Sequence, residues 1–355
     1  MTPKEVYAAV VNFEEPDRIP ISISAHDIIR RQQGITLEQY YLLPPKEQAE
    51  FSVDVHRTYG GDVIRAGFNG TLAIKAIGGK VKFRDKGHPD VEEPLVRDIA
   101  DLDKINLDTL KQDFHYQVCR EASKEIVALA GEEYCVSSGS WGPFTQAGLI
   151  FGAEPLMRNC LRDKEAVRAL LDFTFELIKA YSEEIIELGI DVGTLADPSA
   201  SGDMVSKKTF EEFALPWLKK TFDWHKSKGL STSLHICGDV TDRLDLLPES
   251  NADVMSLDYK VSMKKAAEIL GDKIVIGGNV NPAGTLMTGD QEEVRRAYLD
   301  IFEQVEGAPY VLMAGCGIPA GVPISNIEVM RDLAYSAVPH YTAKAKKQPL
   351  KKLKG

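Results

Sequence analysis

The sequence has no uninterrupted apolar run of the roughly eighteen or more residues that a membrane-spanning helix needs. Its opening residues, Met-Thr-Pro-Lys-Glu, lack the basic and then apolar layout of a secretory signal. It has only five cysteines, an odd number at irregular spacing, which excludes a disulfide framework and points to reduced thiols in a cytoplasmic protein. No basic face is evident and the net charge is −11, so nucleic acid is a poor partner. A Gly-x-Gly-x-x-Gly after a first strand is also missing, which removes one reason to expect a dinucleotide-binding open sheet. What remains is an ordinary globular composition, 44% hydrophobic and 27% charged.

Along the 355 residues, short apolar runs alternate with helical patterns. Eight of these runs read as strands: Arg18–Ser24, Asp62–Ala66, Tyr134–Ser138, Val192–Ala196, Ser231–His235, Val254–Leu257, Lys273–Ile276 and Tyr310–Met313. Residues 36–59 read as a surface helix, Asp101–Gly131 as another, and Ala73–Phe83 with the polar run Arg84–Glu93 as a hairpin-like insertion turning at Gly78-Gly79. Thr209 with Glu212, Asp290 with Glu293, and Ser325 with Glu328 have the spacing of capping boxes. Eight strands alternating with helices predict an α/β fold, a TIM (β/α)8 barrel with an N-terminal extension, in one domain over residues 1–343. The lysine-rich stretch 344–355 reads as a solvated tail.

The chemistry gathers at the carboxyl ends of these strands. His235 and Cys237 are two apart, so an extended chain turns both side chains to one face. Cys316 follows the last strand in Gly315-Cys-Gly. One imidazole and two thiolates suit Zn²⁺, and three protein ligands leave a coordination position open. Asp258, at the end of the sixth strand, reads as an exchangeable fourth ligand, an orienting partner or a simple helix-start carboxylate. Trp141, Asp197, Asn279 and His26 also lie at strand ends, where each can face a substrate or cofactor or merely pack. Cys119, Cys135 and Cys160 sit in apolar patterns and read as core.

Several stretches together resemble the uroporphyrinogen decarboxylase superfamily over nearly the whole chain. They are Pro16-Asp-Arg-Ile-Pro20, Gly142-Pro-Phe-Thr145, Asp197-Pro-Ser-Ala-Ser-Gly-Asp203, His235-Ile-Cys-Gly238, Gly278-Asn-Val280 and Gly315-Cys-Gly-Ile-Pro319. Within that superfamily the sequence looks most like the zinc-dependent methylcobamide:coenzyme M methyltransferases. The resemblance implies zinc held by His235, Cys237 and Cys316, with Asp258 near the metal. It further implies a small thiol acceptor and a methylated corrinoid on a separate protein. No Asp-x-His-x-x-Gly stretch is present here to ligate cobalt. The true decarboxylases are similar in fold but use no metal, and they carry an Arg-Gln-Ala-Gly-Arg stretch. Arg30-Arg-Gln-Gln-Gly-Ile35 lacks its final arginine, and Cys316 stands where decarboxylases have a histidine. A decarboxylase, or a relative that binds a corrinoid protein without catalysis, is the alternative reading.

Overall fold

The computed structural model describes residues 1–23, 25–67, 69–84 and 89–337, so the 344–355 stretch lies outside the described residues. Seven parallel strands form one curled sheet in chain order: β1 (Val63–Ala66), β2 (Cys135–Trp141), β3 (Val192–Ala196), β4 (Ser231–Ile236), β5 (Val254–Leu257), β6 (Val275–Val280) and β7 (Tyr310–Ala314). Helices occupy the connections, as parallel neighbours require.

The expected first strand is a correction. Of Arg18–Ser24 only Ile21 bridges the sheet, in parallel to Leu312 of β7. Pro20 has no N–H to give a ladder. The segment still joins both edges: Leu312 N donates to Pro20 O (2.8 Å), Ser22 N to Leu312 O (3.0 Å), and Asp62 N to Ile21 O (2.7 Å). An eighth staff of minimal length thus closes the barrel. Arg18 secures it through a buried two-pronged pair with Asp62 (3.0 and 2.5 Å), whose Oδ2 also accepts from Ile21 N. Burial pushes the Asp62 carboxyl above its usual range, against the pull of Arg18.

The N-terminal helix α1 (Pro3–Val11) plugs the base of the barrel. Its Tyr7, Val10 and Val11 pack, with Phe13, on the inward side chains Cys135, Val192, Val254, Val275, Val311 and Met313, with Val63 partly covered beside them. Alternate strand residues face outward into the larger core under the helices.

Other local expectations meet competing caps. Pro44-Pro45 splits residues 36–59 into helices Leu37–Tyr41 and Pro45–Tyr59. Asp98, Asn106 and Asp113 each accept a backbone N–H two residues on, which divides the stretch from Asp101 into two 3-10 turns followed by the helix Phe114–Ala130. Ala73–Ala76 belong to a helix opened by Asn69, and Gly78-Gly79 follow its end; the small antiparallel pair is Val81–Lys82 with Asp90–Val91. Thr209 is not a cap, because Ser206 takes that place, and Glu212 instead binds Lys164 and Arg168. Ser325 lies inside a helix that starts after Pro323. The box at Asp290 and Glu293 forms with both its hydrogen bonds.

Candidate metal centre

Barrel closure brings the ends of β4, β5 and β7 to one mouth. There His235, Cys237 and Cys316 present donor atoms that all lie within 4.8 Å of one another. The two sulfurs are 2.8 Å apart. His235 Nδ1 donates toward Ser256 O (3.2 Å) and Oγ (3.1 Å) on the neighbouring strand, which leaves the Nε2 lone pair free. That Nε2 is buried and has no hydrogen-bond partner. A buried nitrogen beside two sulfurs, with its lone pair uncommitted, is suited to ligate a metal ion.

Charge at the sulfurs is split unevenly. The Cys316 thiol is held well below the usual thiol range, chiefly by the hydrogen bond from Cys237. Cys237 is correspondingly pushed up, because it keeps the hydrogen that it shares with Cys316. One thiolate is therefore present at neutral pH, and a cation held between the sulfurs would displace the second proton. The donor set, one imidazole and two thiols with room for a fourth ligand, fits zinc.

Asp258 is almost fully buried and braces the cluster. Its Oδ2 accepts from Gly238 N (2.9 Å) and lies 3.6 Å from the Cys237 sulfur, and its Oδ1 accepts from Lys260 N (3.0 Å). Gly238 has φ +105°, and a Cβ there would meet Asp203 Oδ2 at 2.5 Å, so glycine permits the turn that carries Cys237 to Asp258. Asn279 spends both amide hydrogens on the same loop, donating to Asp258 O (3.0 Å) and Val261 O (2.7 Å).

The other expected site residues take different places. Asp197 is fully buried and accepts from Thr145 N (2.7 Å), Thr145 Oγ1 (2.5 Å) and Phe144 N (3.3 Å), fixing the Gly142-Pro-Phe-Thr turn. Trp141 Nε1 donates to Thr71 Oγ1 (2.8 Å). His26 opens the short helix His26–Gln32, edge-on to Tyr40 and Phe51, outside the donor cluster. Ser256 and Thr71, which orient His235 and Trp141, escaped the sequence reading, whereas Thr145 lay in the Gly142-Pro-Phe-Thr stretch but its bond to Asp197 was not foreseen. A signal existed for Ser256: it stands two residues beyond inward Val254, so a polar group faces the barrel lumen.

Burial raises the Asp197 carboxyl to about 6, against the hydrogen bonds of Thr145 and Phe144. The native state therefore holds this proton more tightly than the unfolded chain, whose value is near 3.8. Asp197 makes stability fall as pH rises from about 4 to 6. In Asp197→Asn, the thermal midpoint measured across that window is expected to lose this share of its downward slope.

A parallel barrel that gathers its polar donors at the carboxyl ends of its strands has the architecture of a TIM-barrel enzyme. The chain belongs to the uroporphyrinogen decarboxylase (URO-D) family, whose family model matches residues 2–337. It is similar to the methylcobamide:CoM methyltransferase MtbA of Methanosarcina mazei, 30% identical over 293 residues, covering 81% of this chain and 84% of that one. It is also similar to the methylcobamide:CoM methyltransferase MtaA of Methanosarcina barkeri, 25% identical over 288 residues, covering 81% and 83%. A solved methyltransferase from Methanosarcina mazei superposes with a TM-score of 0.84 at 24% identity, covering 94% of this chain and 98% of that one. These relatives place the chain among the methyltransferase enzymes of its family. Among the described residues, no helix is long and apolar enough to cross a membrane.

Proposed function

We propose that the protein transfers a methyl group from a methylated corrinoid, carried by a partner protein, to a small thiol held at a zinc ion in the barrel mouth. The convergence of His235 Nε2 with the Cys237 and Cys316 sulfurs carries this reading. The methylcobamide:CoM methyltransferases among the relatives support the donor and the acceptor class.

His235 would bind through Nε2, with Ser256 fixing the ring from the other side. Cys237 and Cys316 would bind as thiolates, so three protein ligands bring two negative charges. Bound there, zinc supplies a cation that lowers the acceptor thiol's pKa from its ordinary value near 8.5, so that the thiolate forms at neutral pH. In the overall reaction the thiolate sulfur bonds the methyl carbon as the carbon–cobalt bond breaks. The products are a thioether and Co(I). Two cysteinates and a neutral imidazole would just balance the charge of Zn²⁺. Asp258 positions Cys237 through the Gly238 amide, and its carboxylate is close enough to accept the proton that Cys237 must lose.

The test uses zinc-loaded protein with free methylcobalamin and 2-mercaptoethanesulfonate, following the loss of the methyl–Co(III) absorption. Turnover that depends on zinc and thiol supports the reading. Absence of turnover with this and other thiols, in protein shown to hold zinc, contradicts it.

A further inference from the structure

The lumen contains a charge that the zinc cluster does not use. In β1, Val63 packs in the apolar layer at the base of the barrel, while Ile64 and Ala66 face the outer core. Arg65 therefore points inward, one position above that layer toward the mouth. In barrels of this kind each interior layer draws its side chains from alternate strands. The basal set Val63, Val192, Val254 and Val311 comes from β1, β3, β5 and β7. Two residues further along the same strands the layer is Arg65, Thr194, Ser256 and Met313. Arg65 is its only charged member, and Ser256 is the residue that holds His235.

Three observations mark Arg65 as a binding group rather than a structural one. It is exposed, although it stands on the lumen face of a barrel strand. Among the described residues no carboxylate lies within ion-pair reach of it and no hydrogen bond ties it down; every ion pair formed there involves other groups, as when Arg18 meets Asp62 and Arg30 meets Asp27. Its space is kept open by Gly139 on β2: a Cβ at that residue would sit 3.1 Å from both Nε and Nη2 of Arg65. By contrast Arg30, in the stretch that resembles the decarboxylase arginine motif, is buried and donates to its own Ile35 O (2.5 Å).

We infer that Arg65 is the anion subsite for the acceptor, which is a short thiol bearing a sulfonate or carboxylate. The inference rests on the proposed function and adds the residue that selects the acceptor by its charge. β1 and β5 are four places apart in a ring of eight staves, so Arg65 faces the wall that carries Ser256 and, through it, His235. A thiol held at the sulfur cluster directs its tail into the lumen, where the guanidinium can grip two oxygens of an acid group. A neutral thiol leaves that guanidinium without a partner. The subsite therefore selects by charge as well as by reach.

The test compares 2-mercaptoethanesulfonate, 3-mercaptopropionate, neutral 2-mercaptoethanol and cationic cysteamine, with methylcobalamin as donor and zinc-loaded full-length protein. Wild type is expected to favour the anionic thiols over 2-mercaptoethanol in kcat/KM by at least about tenfold, the usual loss for one charge-assisted hydrogen bond. In Arg65→Met that ratio collapses toward one, in Arg65→Lys much of it returns, and in Arg65→Glu the preference moves to cysteamine. Sulfonate against carboxylate preference in the wild type then separates the two acids. Calorimetric binding of the same thiols without methyl donor, on variants shown to keep zinc, gives a readout free of turnover. Anionic preference lost from binding in Arg65→Met supports the subsite even if no thiol is methylated, in which case the proposed function fails alone. Equal use of neutral and anionic thiols by the wild type, or full discrimination retained in Arg65→Met, overturns the subsite and leaves the methyl transfer standing.

Discussion

Replacing Cys316 with alanine is expected to strip the protein of its zinc and to abolish methyl transfer while the barrel remains folded. Removal of a group that merely orients a metal ligand costs about 10–100-fold in affinity or activity. Loss of one of three direct ligands should exceed that, because the pair Cys237 and His235 cannot close a site around zinc. Cys316 also carries the thiol whose pKa is held down by the hydrogen bond from Cys237, so the variant loses that readily ionised group. The fold should survive, since Cys316 is only half-buried on a turn beyond β7 and belongs to neither apolar core. Metal analysis, far-ultraviolet circular dichroism and the methylcobalamin assay on one preparation check all three statements. Near-normal turnover with zinc still bound would sink the ligand assignment.

The second large effect concerns stability. Arg18→Met removes the partner of a carboxylate with no solvent exposure and leaves Asp62 without a countercharge inside the seam of the barrel. Breaking a buried pair from one side typically costs about 3–5 kcal/mol. The backbone consequence is specific, because Asp62 Oδ2 also receives Ile21 N in the segment that joins the two edges of the sheet. Thermal unfolding should show a drop of several degrees in Arg18→Met and a smaller one in the double variant Arg18→Met, Asp62→Asn, where no charge is stranded. Equal losses in the two would show that the pair acts by packing alone.

The barrel and the three donor atoms that converge at its mouth were legible for different reasons. Apolar runs of strand length announced seven of the eight staves, and β4 to β7 fall close to their expected positions. The eighth failed because Pro20 leaves a segment that pairs at one residue, while its apolar pattern looks like a full strand. His235 and Cys237 could be joined from spacing, since two residues on a strand share a face. Cys316 could be joined to them only through the resemblance and the barrel topology. The braces were hidden. Asp258 reaches Cys237 through the amide of Gly238, and Asn279 holds the Asp258 loop through two carbonyls; neither contact has a spacing rule. Arg65 was hidden for the opposite reason. Beside outward Ile64 and Ala66 it reads as the solvated side of a half-buried strand, and only closure of the ring turns that side into the lumen.

The most direct test of the account is zinc-edge X-ray absorption of the purified protein, before and after 2-mercaptoethanesulfonate is added without a methyl donor. Two sulfur neighbours at about 2.3 Å and at least one nitrogen at about 2.0–2.1 Å are expected at the start. A third sulfur at the same distance is expected once the thiol is present. A zinc shell unchanged by saturating thiol, or a protein that binds no zinc when zinc is offered, would contradict it.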